Sequence, residues 1–350
     1  MAEVKRNYIR SLDIQNGIVD MTHGAGGRAT AQLIDELFAR AFSNPYLAQG
    51  HDGAVLPEIK SSPVISCDGH VVHPLVFPGG DIGRLAVCGT VNDVAVCGAT
   101  PLYLSASFII EEGLPLKTLK LVVDSMAAAA QEAGVLIVTG DTKVVEKGHG
   151  DGLYIATTGV GERLEHARVS GRNAAAGDAV IVTGTMGDHG ITILSHREGL
   201  SFGVDLQSDT APLNAPIAAL IESLGEKVHV LRDPTRGGLA TTLNEIASQS
   251  GVGIELNEED IPVADPVRSA CEFLGLDPLY IANEGKLIVI VPQECAQTAL
   301  EVLKRFETCR EAAVVGRVTA ENPGLVQMHT EIGGTRLVDW LNSDPLPRIC

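Results

Sequence analysis

Leu102-Tyr103-Leu104-Ser105-Ala106-Ser107-Phe108-Ile109-Ile110 is the stretch on which the fold turns, because Leu102, Leu104, Ala106, Phe108 and Ile110 alternate with Tyr103, Ser105 and Ser107. A period of two places one row of side chains in a core and the other outside it, which is a strand. Downstream, Leu116 to Ala133 reads as a helix that Gly134 closes. It feeds a short buried strand, Val135 to Val138, and then another, Leu153 to Gly159. Upstream, Ile82 to Cys97 carries Leu85, Cys88, Val91, Val94 and Ala95 on one helical face and ends at Gly98. Before it come an apolar stretch, Pro63 to Cys67, and a helix from Ala29 to Phe42 with Leu33, Ile34, Leu37, Phe38 and Ala41 in a stripe. Strands interleaved with helices predict a layered α/β or α+β arrangement.

A polar, small-residue passage, Ser170 to Gly177, separates this block from a second one. There, strands are predicted at Asp178–Thr183, Val252–Leu256, Lys286–Val291 and Ala312–Val318. Helices are predicted at Asp188–Glu198, Asn214–Leu224, Gly238–Ser248, Pro266–Leu274 and Glu294–Phe306. The chain thus divides into an arm and helix (1–45), two α/β halves (46–169 and 170–335) and an extended, flexible tail (336–350) that Pro345 and Pro347 keep out of helix.

Composition narrows the function. With 44 acidic against 26 basic residues, the net charge of −18 repels phosphate backbones and anionic lipid heads, so nucleic acid and membrane surfaces are not expected partners. A nucleotide would have to arrive with its own metal. No apolar run reaches the ~20 residues of a membrane span, and Met1 to Arg10 lacks a signal-peptide core. Seven cysteines without a CxxC pair suggest neither a disulfide framework nor a zinc site, which points to a reducing cytoplasm. Cys67, Cys88 and Cys97 read as small buried side chains.

Phosphate-binding signatures are largely missing. No P-loop motif occurs, and Gly24-x-Gly26-x-x-Ala29 follows a segment with Asp20 and Thr22 that makes a poor buried strand. More telling are aspartates expected in loops at strand ends: His51-Asp52-Gly53, Cys67-Asp68-Gly69-His70, Asn92-Asp93 and Gly140-Asp141-Thr142-Lys143. Hard cations such as Mg²⁺ bridge carboxylates to phosphates, so such a set can bind ATP without a P-loop, with Lys143 as a fixed positive charge. The bland alternative is that each Asp caps a helix or closes a turn. Asp93 argues against it, since the polar pair Asn92-Asp93 interrupts an apolar helix.

Arg232-Asp233-Pro234-Thr235-Arg236-Gly237-Gly238 opens a helix and is either an anion site or an ordinary N-cap. Asn283-Glu284-Gly285-Lys286 puts Glu284 at the mouth of an apolar strand, where a carboxyl can serve as a base. His189 and His196 read as surface residues. Cys350, on a proline-stiffened tail, is an accessible thiol able to act as nucleophile or carrier.

Taken together, Pro78-Gly79-Gly80-Asp81-Ile82-Gly83, Asn92-Asp93-Val94-Ala95, Gly140-Asp141-Thr142-Lys143, Gly187-Asp188-His189-Gly190, Asp233-x-Thr235-Arg236-Gly237-Gly238, Asn283-Glu284-Gly285-Lys286 and Pro347-Arg348-Ile349-Cys350 resemble the HypE family, the carbamoyl dehydratases of NiFe-hydrogenase maturation. Pieces are shared with aminoimidazole ribonucleotide synthetase, selenophosphate synthetase and thiamine-monophosphate kinase. The resemblance implies a two-domain PurM-like fold, an N-terminal domain pairing in a homodimer, and a C-terminal α/β domain. It implies a carbamoyl group placed on Cys350 by HypF, its ATP-driven dehydration to a thiocyanate, and transfer of cyanide to iron on a HypC–HypD scaffold. On that footing Asp52, Asp68, Asp93 and Asp141 are assigned to Mg²⁺, and Asn92, Thr142, Asp233 and Thr235 join them around ATP. Lys143 meets charge on the transferred phosphoryl, Glu284 is the base, and Cys350 carries the substrate. The competing readings are an ATP-dependent synthetase acting on a free small molecule, for which Cys350 is dispensable, and a non-catalytic carbamoyl carrier.

Overall fold

A computed structural model describes residues 8, 10–200, 206–341 and 346–350. Asp344 and Pro345, part of the expected tail, lie outside the described residues. The first half runs α1 (Arg28–Leu33), a π-helical turn (Ile34–Phe38), α2 (Ala39–Ala41), β1 (Pro63–His70), a hairpin of β2 (Val76–Phe77) and β3 (Gly80–Asp81), α3 (Ile82–Val96), β4 (Ala99–Glu111), α4 (Leu116–Ala133), β5 (Leu136–Val145) and β6 (Leu153–Arg163). The second half runs β7 (Asp178–Val182), α5 (Asp188–Glu198), α6 (Asn214–Leu224), β8 (Val230–Arg232), α7 (Gly238–Ser250), β9 (Gly253–Asn257), α8 (Asp265–Leu274), β10 (Ile288–Pro292), α9 (Ala296–Leu303), β11 (Ala313–Thr319), β12 (Val326–His329) and β13 (Thr335–Leu337).

The alternation in β4 works as read: Leu104, Ala106, Phe108 and Ile110 are buried, while Ile109 is 40% exposed. Helix α4 buries Leu116, Leu119, Val122, Val123, Met126, Ala129 and Ala133, a spacing of three and four that keeps one face inward. Gly134 ends it in the left-handed region at φ 71°. Helix α3 starts at Asp81, whose carboxylate accepts from the backbone N–H groups of Gly83 and Arg84. It is buried nearly all round.

The first sheet has the order β1-β6-β4-β5, with β4 and β5 parallel across the α4 crossover and the other pairs antiparallel. The second has the order β13-β12-β9-β11-β7-β10-β8 and only one parallel pair, β12 with β9. Strand β5 extends past the predicted Val138 to Val145, and β1 past Cys67 to His70. Asp141 and Asp68 therefore sit within strands and not in loops, because pairing with β4 and β6 continues through them. Strands β2, β3, β8, β12 and β13 lie outside the predicted set; each has four residues or fewer, too short a run to display a period of burial.

The halves are tied by polar contacts. Asn92 Nδ2 donates to Ala211 O at 3.1 Å and its Oδ1 accepts from Leu213 N at 2.7 Å, and Arg84 Nε donates to Thr210 O at 2.9 Å. One apolar cluster also spans both halves, joining Leu85, Phe108 and Leu119 to Ile191, Val267 and Ile281, with Leu346 and Ile349 of the tail inside it.

Candidate active site

Acids from four segments of the two halves come close enough to act on one another's charge. Asp68 lies on β1 and faces α3, where a side chain on Gly89 would place its Cβ 3.5 Å from Asp68 Oδ2 and 3.0 Å from His70 Cε1. Glycine there lets the strand come close to the helix. Asp93, near the end of α3, accepts from Ser66 Oγ at 2.7 Å. Burial raises its pKa first, with the neighbouring Asp68 adding to the effect. Asp233 precedes α7, and burial followed by repulsion from Asp93 pushes its carboxyl up to about 6. Glu284 is 5% exposed, and its Oε1 has no hydrogen-bond partner among the described residues. Burial, then Asp209, Asp233, Asp68 and Asp93, hold it well above the ordinary carboxylate range.

Asn283 explains how three loops meet there. It is fully buried; its Oδ1 accepts from Gly187 N at 2.7 Å, and its Nδ2 donates to Pro234 O at 2.9 Å and to Ile281 O at 3.0 Å. Gly285 follows because the Asp209 carbonyl oxygen lies where its Cβ would be, at 1.8 Å. Asp209, for which the sequence raises no expectation, accepts from Glu284 N at 3.0 Å through Oδ1. Its Oδ2 shares Lys286 Nζ with Asp188, at 3.6 and 3.7 Å. The only sequence signal for Asp209 is the Ser208-Asp209-Thr210 cluster, common in any loop.

Not every predicted residue is here. Asp141 pairs in register with Ser107, Ser107 with Ala156, and Ala156 with Gly69. Asp141 thus lies on the opposite sheet face from Asp68, on the far edge strand, about 14 Å across three strand spacings. It is held by Lys143 Nζ at 2.5 Å, and that hydrogen bond keeps its carboxyl below the usual range. Thr142 faces the helices and Asp52 is in an exposed bend at 51–53. Asn92, assigned to the nucleotide, has both polar ends used by the backbone of 211–213. Thr235 O accepts from Gly238 N at 2.9 Å, closing the turn before α7. Among the described residues no three of His, Cys, Asp and Glu converge as a metal-holding group.

Other expectations are corrected. His189 is fully buried and not at the surface, whereas His196 is exposed. Cys88 is buried as expected, but Cys67 and Cys97 are exposed, the first on the uncovered sheet face and the second at the end of α3. The tail from Leu346 to Cys350 is seated: Ile349 forms an antiparallel bridge with Val72, and Val71 N donates to Cys350 O at 3.1 Å. Cys350 thus comes to rest beside Val71, the residue that follows β1.

Comparison with known proteins places this architecture. The family model "AIR synthase related protein, N-terminal domain" matches residues 50–163, and its C-terminal counterpart matches residues 175–328. The carbamoyl dehydratase HypE of Azotobacter vinelandii is 57% identical over 339 residues, covering 97% of this chain and 99% of that protein. A crystal structure of the hydrogenase maturation protein HypE in complex with ATP superposes with a TM-score of 0.91 at 52% identity, covering 94% of this chain and 99% of that one. A HypE–HypF complex matches with a TM-score of 0.78 at 51% identity, covering 88% and 99%. The chain belongs to the HypE family within the AIR synthase related proteins. No helix among the described residues is long and apolar enough to cross a membrane.

Proposed function

We propose that this chain is an ATP-dependent carbamoyl dehydratase whose substrate is its own Cys350. A HypF-type carbamoyltransferase loads the thiol, the chain converts the thiocarbamate to a thiocyanate, and the cyanide passes to iron on a HypC–HypD scaffold. The observation that carries this reading is the seat of Cys350 beside Val71, directly after the strand that bears Asp68, a carboxylate that acts on the buried Glu284. Relatives named HypE, one solved with ATP and one with HypF, support the nucleotide and the loading partner.

Amide dehydration has to turn a poor oxygen leaving group into a good one. The carbamoyl oxygen attacks the γ-phosphorus and ADP leaves. One N–H proton is then lost, and a second follows as the C–O bond breaks, so that phosphate departs and nitrogen forms a triple bond to carbon. In this reading Glu284 takes these protons one at a time, releasing the first before the second is lost: its raised pKa makes it a stronger base than an ordinary carboxylate. Positioning and charge neutralisation supply the rest.

The oxygen-only donor set and the unpartnered Glu284 Oε1 fit a hard cation held jointly with phosphates. Asp68 and Asp93 would hold Mg²⁺, which when bound neutralises phosphate charge. Asp233 and Thr235, ahead of α7, would border the phosphates, and Thr142 would join them from the β5 edge of a second copy. Asp52, Asp141 and Lys143 enter this reading through a homodimer. The face of the first sheet that bears Ile65, 68% exposed, with Cys67, Ala156 and Ile109 is apolar and open. Isologous pairing of that face would lay the β5 edge of one copy against the β1 edge of the other, bringing Lys143 to the transferred phosphoryl. The proposed boundaries remain 46–169 and 170–335 for the two domains, in a cytoplasmic protein.

The test is mass spectrometry of the C-terminal peptide after incubation with a HypF-type carbamoyltransferase, carbamoyl phosphate, ATP and Mg²⁺. Carbamoylation followed by loss of one water supports the dehydratase. Carbamoylation without that loss would show a carrier, and no modification would point to an enzyme acting on a free small molecule.

A further inference from the structure

Helix α5 reaches across to the seated tail with two side chains. Arg197 Nε donates to His73 O at 2.9 Å, Nη1 to Pro347 O at 2.8 Å and Nη2 to Arg348 O at 2.7 Å. His189 Nε2 lies 2.5 Å from Ile349 O, and its Nδ1 lies 2.8 Å from Ser208 Oγ. A carbonyl only accepts, so Nε2 carries the hydrogen. Nδ1 then accepts from the Ser208 hydroxyl, which in turn accepts from Thr210 Oγ1 at 2.7 Å. Phe77 packs edge-on against the same ring, centroids 5.7 Å apart. On the other side the strand residues donate: Val71 N to Cys350 O and His73 N to Arg348 O, both at 3.1 Å.

We infer that Arg197 and His189 are positioning residues that latch the tail by its main chain, and that release of this latch decides whether Cys350 is presented for loading or held for dehydration. The Arg197, His189, Val71 and His73 nitrogens that meet the tail all grip its backbone carbonyls, so this hold does not depend on which side chains the tail carries. Arg197 is the keystone because its fork spans the tail and the β1–β2 connection at once, meeting three carbonyls from three separate nitrogens where an ammonium has only one. The latch is also built to open. Arg348 adopts φ 58°, a left-handed conformation costly for a residue with a Cβ, and is held in it by Asp151 Oδ1 at 2.9 Å. An unseated tail relaxes that strain.

The catalytic half of this inference rests on the dehydratase reading, and the structural half does not. Hydrogen exchange at the Val71 and His73 amides of the full-length chain reports the seated tail directly. Single-turnover conversion of preloaded Cys350, followed on the peptide from Asp344 to Cys350, reports its consequence. In Arg197→Ala, exchange at both amides should quicken about tenfold or more, carbamoylation should proceed at least as fast as in the wild type, and dehydration should slow. Arg197→Lys should restore part of both effects, with the thermal midpoint of all three proteins alike. Unchanged exchange in Arg197→Ala overturns the latch. Faster exchange with unchanged dehydration overturns its role in positioning. A wild-type chain that never dehydrates its loaded thiol, while exchange still answers to Arg197, would sink the dehydratase reading and leave the latch standing.

Discussion

Glu284 carries its carboxyl in a shell of Asp209, Asp233, Asp68 and Asp93, and its buried oxygen Oε1 makes no hydrogen bond among the described residues. Such a group costs folding energy whenever it is charged, and that cost is what a base in a catalytic cleft requires. Glu284→Gln should therefore abolish water loss from carbamoylated Cys350 and raise the urea midpoint of the nucleotide-free protein at pH 8, by on the order of 1 kcal/mol. A destabilised variant would show that the carboxylate is structural. His189 titrates in the opposite sense. Burial lowers its pKa from 6.5, against smaller opposing effects of Asp209 and the Ile349 carbonyl, so the unfolded chain takes up the proton first. Its stabilising contribution is full above about pH 6.5 and falls away below it, by up to about 2 kcal/mol at pH 5. His70, also lowered by burial, acts the same way, while the raised Glu284 and Asp233 partly offset both. Between pH 7.5 and 5, His189→Gln should lose less stability than the wild type in parallel denaturant titrations. Equal slopes would mean that His189 takes up its proton alike in the folded and the unfolded chain.

Among the elements, glycines show which connections tolerate change. Gly134 closes α4 in the left-handed region with open space around it, so Gly134→Ala should cost only about 1 kcal/mol. Gly285, between Glu284 and Lys286, meets the Asp209 carbonyl at 1.8 Å from where a Cβ would stand. Gly285→Ala has to push apart two loops that carry site carboxylates, so it should cost more than about 2 kcal/mol and most of the dehydratase activity. Urea midpoints and single-turnover assays of the pair check the contrast; similar costs would show that the 209 loop yields easily. Helix α4 and strand β4 are legible in the amino-acid sequence because each carries its own burial period from end to end. The strand character of Asp68 and Asp141 is not, since it depends on pairing partners remote in sequence.

At the scale of the whole molecule, the first sheet is covered by helices on one face and leaves Ile65 and Ile109 exposed on the other. Apolar residues left exposed on an uncovered sheet face mark an interface. Ile65→Asp combined with Ile109→Asp should convert a dimer to monomers in sedimentation velocity and lower dehydration strongly, because Lys143 then has no route to the cleft of a second copy. A doubly substituted chain that remains dimeric would overturn that arrangement. Mixing chains that carry Lys143→Ala with chains that carry Glu284→Ala should recover part of the activity that each lacks alone. No recovery would place both residues in one subunit's site.

Local pattern alone determined that this chain is a layered assembly of helices and strands, that its aspartates and the Asn283-Glu284-Gly285-Lys286 segment are anomalies in apolar surroundings, and that Cys350 stands on a stiff extension. Those features follow from the period of side-chain burial and from backbone preferences within a few residues. Only the tertiary structure separated Asp68 from Asp141, turned the Asn92 amide onto the backbone of the other half, buried His189, and set the tail beneath Arg197. Each of these depends on which distant segment supplies the partner for a polar group shut away from water, and that partner is chosen by the packing of the entire chain.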